Sequence, residues 1–194
     1  MKRKLGPKTL VHPLPAVLVG TYSEGGTPNA MTAAWCSTCC MDPPCVGVAV
    51  RRERLTRVNI ERTRAFTVNI PSTSLAAKVD YIGIVSGRDQ ADKLDRAGMR
   101  TERAGLVDAP LVVDCPVCLE CSLKDRLAIG SHTWFVGEVL EAHVDEQAFT
   151  SAGDLDPKLI DPLVYCSSDH CYYGLGARVA RAFSAGKKLS RSPR

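Results

Sequence analysis

No stretch of this chain approaches the roughly 18 consecutive apolar residues that a membrane helix requires. The basic N-terminus "MKRKLGPKTL" leads into no apolar run before Pro13 and Pro15 interrupt it, so it does not read as a secretion signal. The expectation is a protein with no membrane partner and a cytoplasmic address. Nor is there a basic stripe interleaved with aromatics. Lys2, Arg3, Lys4 and Lys8 at one end, with Lys187, Lys188, Arg191 and Arg194 at the other, supply eight positive charges against a net charge of +4. The body between them is therefore mildly acidic. Two basic ends around such a body are solvated tails, and no nucleic-acid partner is expected.

Several catalytic signatures are missing. A G-x-G-x-x-G between a strand and a helix is absent, which argues against a Rossmann domain, and there is no G-x-S-x-G for a serine nucleophile. His12, His132, His143 and His170 have no local link to a cysteine. His143 sits in an alternating strand and reads as structural, whereas His132, just after Gly130, is the better candidate for a ligand contact. No internal repeat is found. The nine cysteines are an odd number without a secretion signal, so they do not form a disulfide framework and are expected to be reduced.

Those cysteines nonetheless contain metal-like spacings, Cys36-x-x-Cys39-Cys40 and Cys115-x-x-Cys118-x-x-Cys121. Zinc knuckles place such pairs on turns. Here Cys115, Cys118 and Cys121 lie in an apolar, strand-like run, with the first and last on one face and the middle one opposed. They read as small buried hydrophobes. Cys166 and Cys171, separated by "SSDH" in a loop beside His170, keep a metal or redox alternative open.

What is present fits one globular domain of 194 residues, 45% hydrophobic and 24% charged. "AVLVGTY" (16–22), the turn "SEGGTPN" and "NAMTAAW" (29–35) read as strand, turn and strand. "MDPPC" breaks the chain and "CVGVAV" (45–50) is a buried strand. "RRERLTRVNIERT" (51–63) is a loop entering a short helix, with Leu55, Val58 and Arg62 at helical spacing. "AFTVNI" (65–70) is a strand. "STSLAAKVDYIG" is a helix with Leu75, Val79 and Ile82 on one face and Gly83 as its stop. "SGRDQADKLDRAG" (86–98) reads as a glycine turn and a short helix capped near Asp89. "CPVCLECSL" (115–123) and "HTWFVGEVLEAHV" (132–144) are strands, the second with Trp134, Val136, Leu140, Ala142 and Val144 on one face. Strands in succession with a few inserted helices imply an α+β fold on an antiparallel barrel.

The chemistry-bearing groups are distributed. "NAMTAAW" offers an amide, a hydroxyl and an indole along a strand, "RRERLT" offers guanidinium donors and a hydroxyl, and "SGRDQADK" adds Ser86, a glycine turn, Arg88 and Lys93. Together they suit one phosphate and one polar planar ring.

The blocks "PAVLVGTYSEGGTPNAMTAAW", "PPCVGVAVRRERLT", "FTVNIPS", "DYIGIVSGRDQADK", "VDAPLVVDCPVCLEC", "GSHTWFVGEV" and "YYGLGARVARAFSAGKKL" occur in that order from about residue 5 to 189. They resemble the flavoredoxin branch of the flavin reductase-like family. The resemblance implies an FMN-binding split β-barrel with a few peripheral helices, forming a homodimer with the flavin near the subunit interface. It implies an oxidoreductase that moves a hydride or electrons through FMN, with NADH or NADPH, or a protein, as electron donor. By position, Asn29, Met31, Thr32, Ala33, Ala34 and Trp35 would lie along the isoalloxazine and ribityl chain. Arg51 and Thr56, with Arg54, would take the phosphate, and Ser86, Gly87 and Lys93 would close over the cofactor. His132 and the Tyr172-Tyr173 pair are further candidates, the tyrosines equally as dimer packing. No acid–base pair is needed. The sequence departs from the resemblance at Cys36, where a small residue such as glycine is expected, and at Cys115 and Cys118, where ordinary apolar residues are.

Overall fold

The computed structural model describes residues 1–191; the side chains of Lys188 and Arg191 and the whole of Arg194, part of the expected basic tail, lie outside the described residues. In chain order the elements are β1 (Leu14–Pro15), β2 (Val17–Tyr22), β3 (Pro28–Ala33), β4 (Cys36–Met41), β5 (Pro44–Arg51), α1 (Leu55–Thr63), β6 (Ala65–Ile70), α2 (Ala76–Ile84) and α3 (Lys93–Arg96). Then follow β7 (Thr101–Arg103), β8 (Pro110–Val112), β9 (Val117–Ile129), β10 (His132–Val144), α4 (Pro157–Ile160), β11 (Val164–Cys166) and β12 (Cys171–Tyr173).

Seven strands form one sheet in the order β3-β2-β6-β9-β10-β5-β4, and every neighbouring pair is antiparallel. The two edge strands, β3 and β4, are consecutive in the chain with only Ala34 and Trp35 between them. Laid flat, seven strands at about 4.8 Å spacing would hold those edges roughly 29 Å apart, whereas three peptide steps reach only about 11 Å. The sheet must curl until its edges meet. The result is an α+β, mainly antiparallel split β-barrel. At the seam, β3 pairs among the described residues with β2 alone, while the Ala49 N–H donates to the Trp35 carbonyl at 2.9 Å.

Period-two alternation fills the barrel: Val17 and Val19, Met31 and Ala33, Val46, Val48 and Val50, Phe66 and Val68, Cys121 and Leu123 all point inward. A second core lies outside the sheet, where Val79 and Ile82 of α2 pack on Leu18 and Ala30 together with Leu94, Met99 and Leu163.

Several expectations from periodicity are corrected. The buried face of α1 is Thr56, Asn59 and Ile60, and Val58 is exposed, because the helix docks over a polar network. α2 continues through Gly83 to Ile84; a Cβ on Gly83 would lie 3.1 Å from the Thr32 Cβ, so this glycine permits close approach of β3 and is not a stop. The segment near Asp89 forms turns, and α3 starts only at Lys93, after Asp92. In β10 the inward residues are Thr133, Phe135 and Gly137, with Trp134 and Val136 on the other face; register shifts against β9 follow between Val136 and Gly137 and between Val139 and Glu141. Cys115 precedes β9 in a turn and joins Cys118 in the outer core, leaving Cys121 alone in the barrel.

Gly137 is inward because nothing larger fits. A Cβ there would come within 2.5 Å of the Phe66 ring and 2.9 Å of the Cys121 Cβ, and Phe66 is fully buried. Gly137→Ala is expected to cost about 1–3 kcal/mol, the usual range for overpacking, read as a lower urea midpoint at unchanged m-value. The control is Gly47→Ala, whose Cβ would meet Trp134. That indole is only partly buried and can swing away, so an equal or larger loss there would contradict the account.

Candidate functional site

At the seam of the barrel, β3 leaves one edge without a partner strand among the described residues, so its backbone N–H and C=O groups on that edge are available for an edge-on ligand. Across the seam run Ala49 and Arg51 of β5. The space between is a cleft of about 200 Å³ lined by Met31, Thr32, Ala33, Ala34, Trp35, Ala49, Arg51, Arg54 and His132. The Trp35 and His132 rings meet at 4.7 Å with a 34° tilt and together wall one side of the cleft. His132 Nδ1 lies 2.8 Å from Ser131 Oγ, and burial, aided by the Arg51 guanidinium, lowers the His132 pKa. The wall is thus a neutral imidazole against an indole near neutral pH.

Beside the cleft lies a narrow polar pocket of about 20 Å³ lined by Asn29, Met31, Arg54, Leu55, Thr56, Ile82, Val85, Ser86, Gly87 and Lys93. Met31 and Arg54 belong to both spaces. Lys93 is 3% exposed, and its Nζ donates to the carbonyls of Ile82 at 3.0 Å and Val85 at 2.8 Å, closing the end of α2. Burial, then the nearby Arg54, pushes its pKa down to about 8. Two cations held together at low solvent exposure call for an anion. The N-terminus of α1 adds to this, because its cap residue Arg54 makes no side-chain capping bond and no acid sits in its first turn. Such a helix end presents free N–H groups and a positive dipole.

The pocket is held by buried hydrogen bonds. Asn29 donates to Thr56 Oγ1 at 3.3 Å and to Thr21 Oγ1 at 3.4 Å, and Asn59 donates to the same Thr21 hydroxyl at 3.0 Å. This network fastens α1 to β2 and β3. Gly87 is required by the same packing, since a Cβ there would lie 2.3 Å from Asn29 Oδ1. Ser86 Oγ accepts from the Arg88 amide at 3.2 Å and shapes the turn. Thr32 donates to the Val79 carbonyl at 2.5 Å, so its hydroxyl proton anchors α2.

All thirteen residues singled out in the sequence line one of these two neighbouring spaces. Their division differs from expectation: Arg51 lies in the wide cleft, while Lys93 joins Arg54 and Thr56 in the narrow one. Tyr172 and Tyr173 face opposite ways. Tyr172 lines a third cavity of about 300 Å³, reached behind Thr32 and Ala34, with Asp80, Tyr165 and His170; it donates to Asp80 at 3.2 Å. Tyr173 is 47% exposed. Ala49, Leu55, Ile82 and Val85 were missed, being apolar residues without any polar cue, as were Thr21 and Asn59, whose burial only the docking of α1 reveals. Cys36 packs against the barrel core, where burial and then Cys39 push its thiol up to about 11. Among the described residues no three His, Cys, Asp or Glu side chains converge as a metal site, and no helix is long and apolar enough to cross a membrane.

An aromatic-walled cleft, a cationic pocket beside it and a curled antiparallel sheet define a class: a split barrel with a cleft at its seam. The chain belongs to the flavin reductase-like family, its residues 10–174 matching the model for the flavin reductase like domain. It is similar to the flavoredoxin of Desulfovibrio vulgaris (Miyazaki F), at 38% identity and a TM-score of 0.90 over 96% of this chain and 100% of that one. It is also similar to flavoredoxin from Methanosarcina acetivorans, at 29% identity and a TM-score of 0.90 over 97% and 99% of the two chains. An uncharacterized protein of Archaeoglobus fulgidus is 31% identical over 130 residues, 67% of this chain and 72% of that relative. Family membership supports flavin binding and a flavin-related redox role.

Proposed function

We propose that this protein is an FMN-dependent oxidoreductase whose narrow pocket takes the FMN phosphate and whose wide cleft takes the isoalloxazine ring. The observation that carries this reading is the convergence of Arg54 and buried Lys93 on the open end of α1, beside a cleft walled by Trp35 and His132. The donor set fits the group: two cations and the Thr56 and Ser86 hydroxyls for a phosphate, and the open edge of β3 from Asn29 to Ala33 for a ring. When bound, FMN supplies the electron-transfer chemistry, accepting a hydride or single electrons. The residues of this chain do the rest. Arg54, Thr56, Ser86 and Lys93 anchor the phosphate, with Gly87 leaving room for its approach. Met31 and Ala33 back the ring from the barrel interior. Thr32 and Ala34 hold the strand edge in place, and Trp35 with His132 flanks the site on the far wall. Arg51, exposed and paired only loosely with Glu53 at 3.8 Å, is placed to meet negative charge in the wide cleft.

The electron donor proposed is NADH or NADPH, entering the open cleft. A second reading is an electron carrier that exchanges electrons with protein partners and makes no direct use of NAD(P)H, favoured by the similarity to two flavoredoxins over nearly the whole chain. The proposal includes a homodimer, supported by an apolar groove of about 290 Å³ where Val11, Leu14, Trp35 and Trp134 reach the surface.

The deciding experiment is the visible spectrum of the purified protein after FMN loading and desalting, under anaerobic conditions. Retained flavin bleached by NADH or NADPH supports the reductase, and retained flavin that only a protein donor bleaches supports the carrier. A protein that retains no flavin overturns both.

A further inference from the structure

Cys166 and Cys171 take no part in the cleft, yet the fold sets them directly opposite each other. In the β11–β12 hairpin, Val164 pairs with Tyr173, Tyr165 with Tyr172 and Cys166 with Cys171, and residues 167–170 form the turn between them. Opposed residues on antiparallel strands have Cα atoms about 4.5–5.5 Å apart with side chains on one face. That lies inside the Cα spacing of roughly 4.4–6.8 Å that a disulfide needs. Both thiols are free, Cys171 exposed and Cys166 half-buried. The Cys171 amide donates to the Asp169 carboxylate at 3.2 Å and its thiol to the Asp169 carbonyl at 3.4 Å, which ties it to the turn. Tyr165 and Tyr172 occupy the opposite face, their rings 5.7 Å apart, packing on the outer core. With His170 they line the cavity behind Thr32 and Ala34. The hairpin therefore has a thiol face toward solvent and a wall face toward that cavity.

We propose that Cys166 and Cys171 are a reversible dithiol–disulfide pair that staples the hairpin walling this cavity, with low-molecular-weight disulfides as the oxidant class. The more exposed Cys171 attacks first as thiolate: its sulfur bonds to one sulfur of the oxidant, the oxidant S–S bond breaks, and the released thiolate takes up a proton equivalent to the one Cys171 lost. Cys166, likewise deprotonated, then attacks the Cys171 sulfur of the mixed disulfide and expels the second half as a thiol. Two electrons leave the pair, and one oxidant disulfide becomes two thiols. The closed loop spans six residues, so it restrains the unfolded chain little, and its exposure leaves it open to reductants. These are the properties of a switch. Oxidation locks the turn at the end that carries His170, a non-glycine residue at φ +57°, and thereby holds Tyr165 and Tyr172 in place.

The inference is independent of the flavin reading, and so is its test. The full-length protein is equilibrated in graded mixtures of reduced and oxidised glutathione, alkylated and digested with trypsin. Cleavage after Lys158 and Arg178 leaves Cys166 and Cys171 in one peptide with no other cysteine. That peptide is expected to lose two hydrogens in a single step, reversed by dithiothreitol, under conditions in which exposed Cys39 acquires at most a glutathione. Amide exchange over residues 164–173 is expected to slow severalfold in the oxidised protein, and Cys166→Ser is expected to retain glutathione on Cys171. A peptide that carries two alkyl groups or two glutathiones throughout overturns the proposal, as does unchanged exchange in the disulfide form.

Discussion

FMN is expected to bind Arg54→Ala and Lys93→Met each roughly 10- to 150-fold more weakly than it binds the unaltered protein, corresponding to about 1.5–3 kcal/mol for one hydrogen bond to a charged group. Riboflavin, which lacks the phosphate, should change less than about threefold by the same physical argument, since neither cation then has an anion to meet. Arg51→Ala should separate from both, because Arg51 lines only the wide cleft; it should weaken FMN and riboflavin alike. Fluorescence titration of each ligand into each variant is the measurement. Equal losses of FMN and riboflavin in Arg54→Ala or Lys93→Met would remove the phosphate from the narrow pocket.

The same pocket carries a pH dependence. In the free protein the Lys93 pKa is lowered, by burial and then by Arg54, to about 8, and a phosphate bound beside the ammonium raises it. With the phosphate placed there as proposed, the Lys93 contribution to FMN affinity is expected to be complete below pH 8 and to fall as pH rises through about 8, until the bound-state pKa is passed. Riboflavin should show no such step, and Lys93→Met should abolish it for FMN. A step that persists in Lys93→Met would assign the titration to another group.

The largest effect on stability is expected at Glu120, a carboxylate on β9 that is 1% exposed. It accepts from the amides of Gly105 at 3.0 Å and Leu106 at 2.6 Å, and from His143 Nε2 at 2.8 Å. Burial alone would raise its pKa, but the bonds from His143, Leu106 and Gly105 outweigh burial and hold it below the usual carboxylate value. Glu120→Ala leaves two amides and an imidazole without an acceptor, and breaking such a buried cluster costs about 3–5 kcal/mol. For a chain of this size that is a fall in Tm of roughly 10 °C. His143→Ala should cost far less, about 1 kcal/mol, because the imidazole side chain is 47% exposed and a water can replace its bond to the carboxylate. Since the folded-state pKa is depressed, the contribution of Glu120 is complete above its unfolded pKa of about 4.3 and disappears as pH falls through the folded value. Thermal melts from pH 7 to pH 3 on both variants check this, and a loss in His143→Ala matching that in Glu120→Ala would contradict the account.

Neither the Glu120 cluster nor the staple hairpin could be read from the linear chain. Glu120 stands between apolar neighbours in "CLECSL" and resembles the solvent face of a strand. Its burial depends on the loop at 105–106 folding back from fifteen residues earlier. Cys166 and Cys171 looked like a loop pair beside a histidine, and only the pairing of β11 with β12 makes them direct partners. In α1 the apolar spacing of Leu55 and Val58 pointed to the wrong face, because the helix docks on Thr21 and Asn29 through Thr56 and Asn59. Hydrophobic periodicity finds faces that bury carbon, and this face buries amides and hydroxyls.

The sequence by itself located the strands β2, β3, β5 and β6, short runs bounded by turn or proline signals, along with the turn at Gly25 and Gly26, where both residues take φ +83°. The family resemblance, carried over position by position, named thirteen residues that line the two spaces at the seam. Tertiary structure decided how those residues divide between the wide cleft and the narrow pocket. Lys93 and Arg54 are 39 positions apart in the chain, and they meet because a two-residue link between β3 and β4 forces the sheet to curl, bringing the end of α2 and the start of α1 over the same edge of β3. Pattern reports which face a side chain occupies. Only closure of the barrel sets what stands across from it.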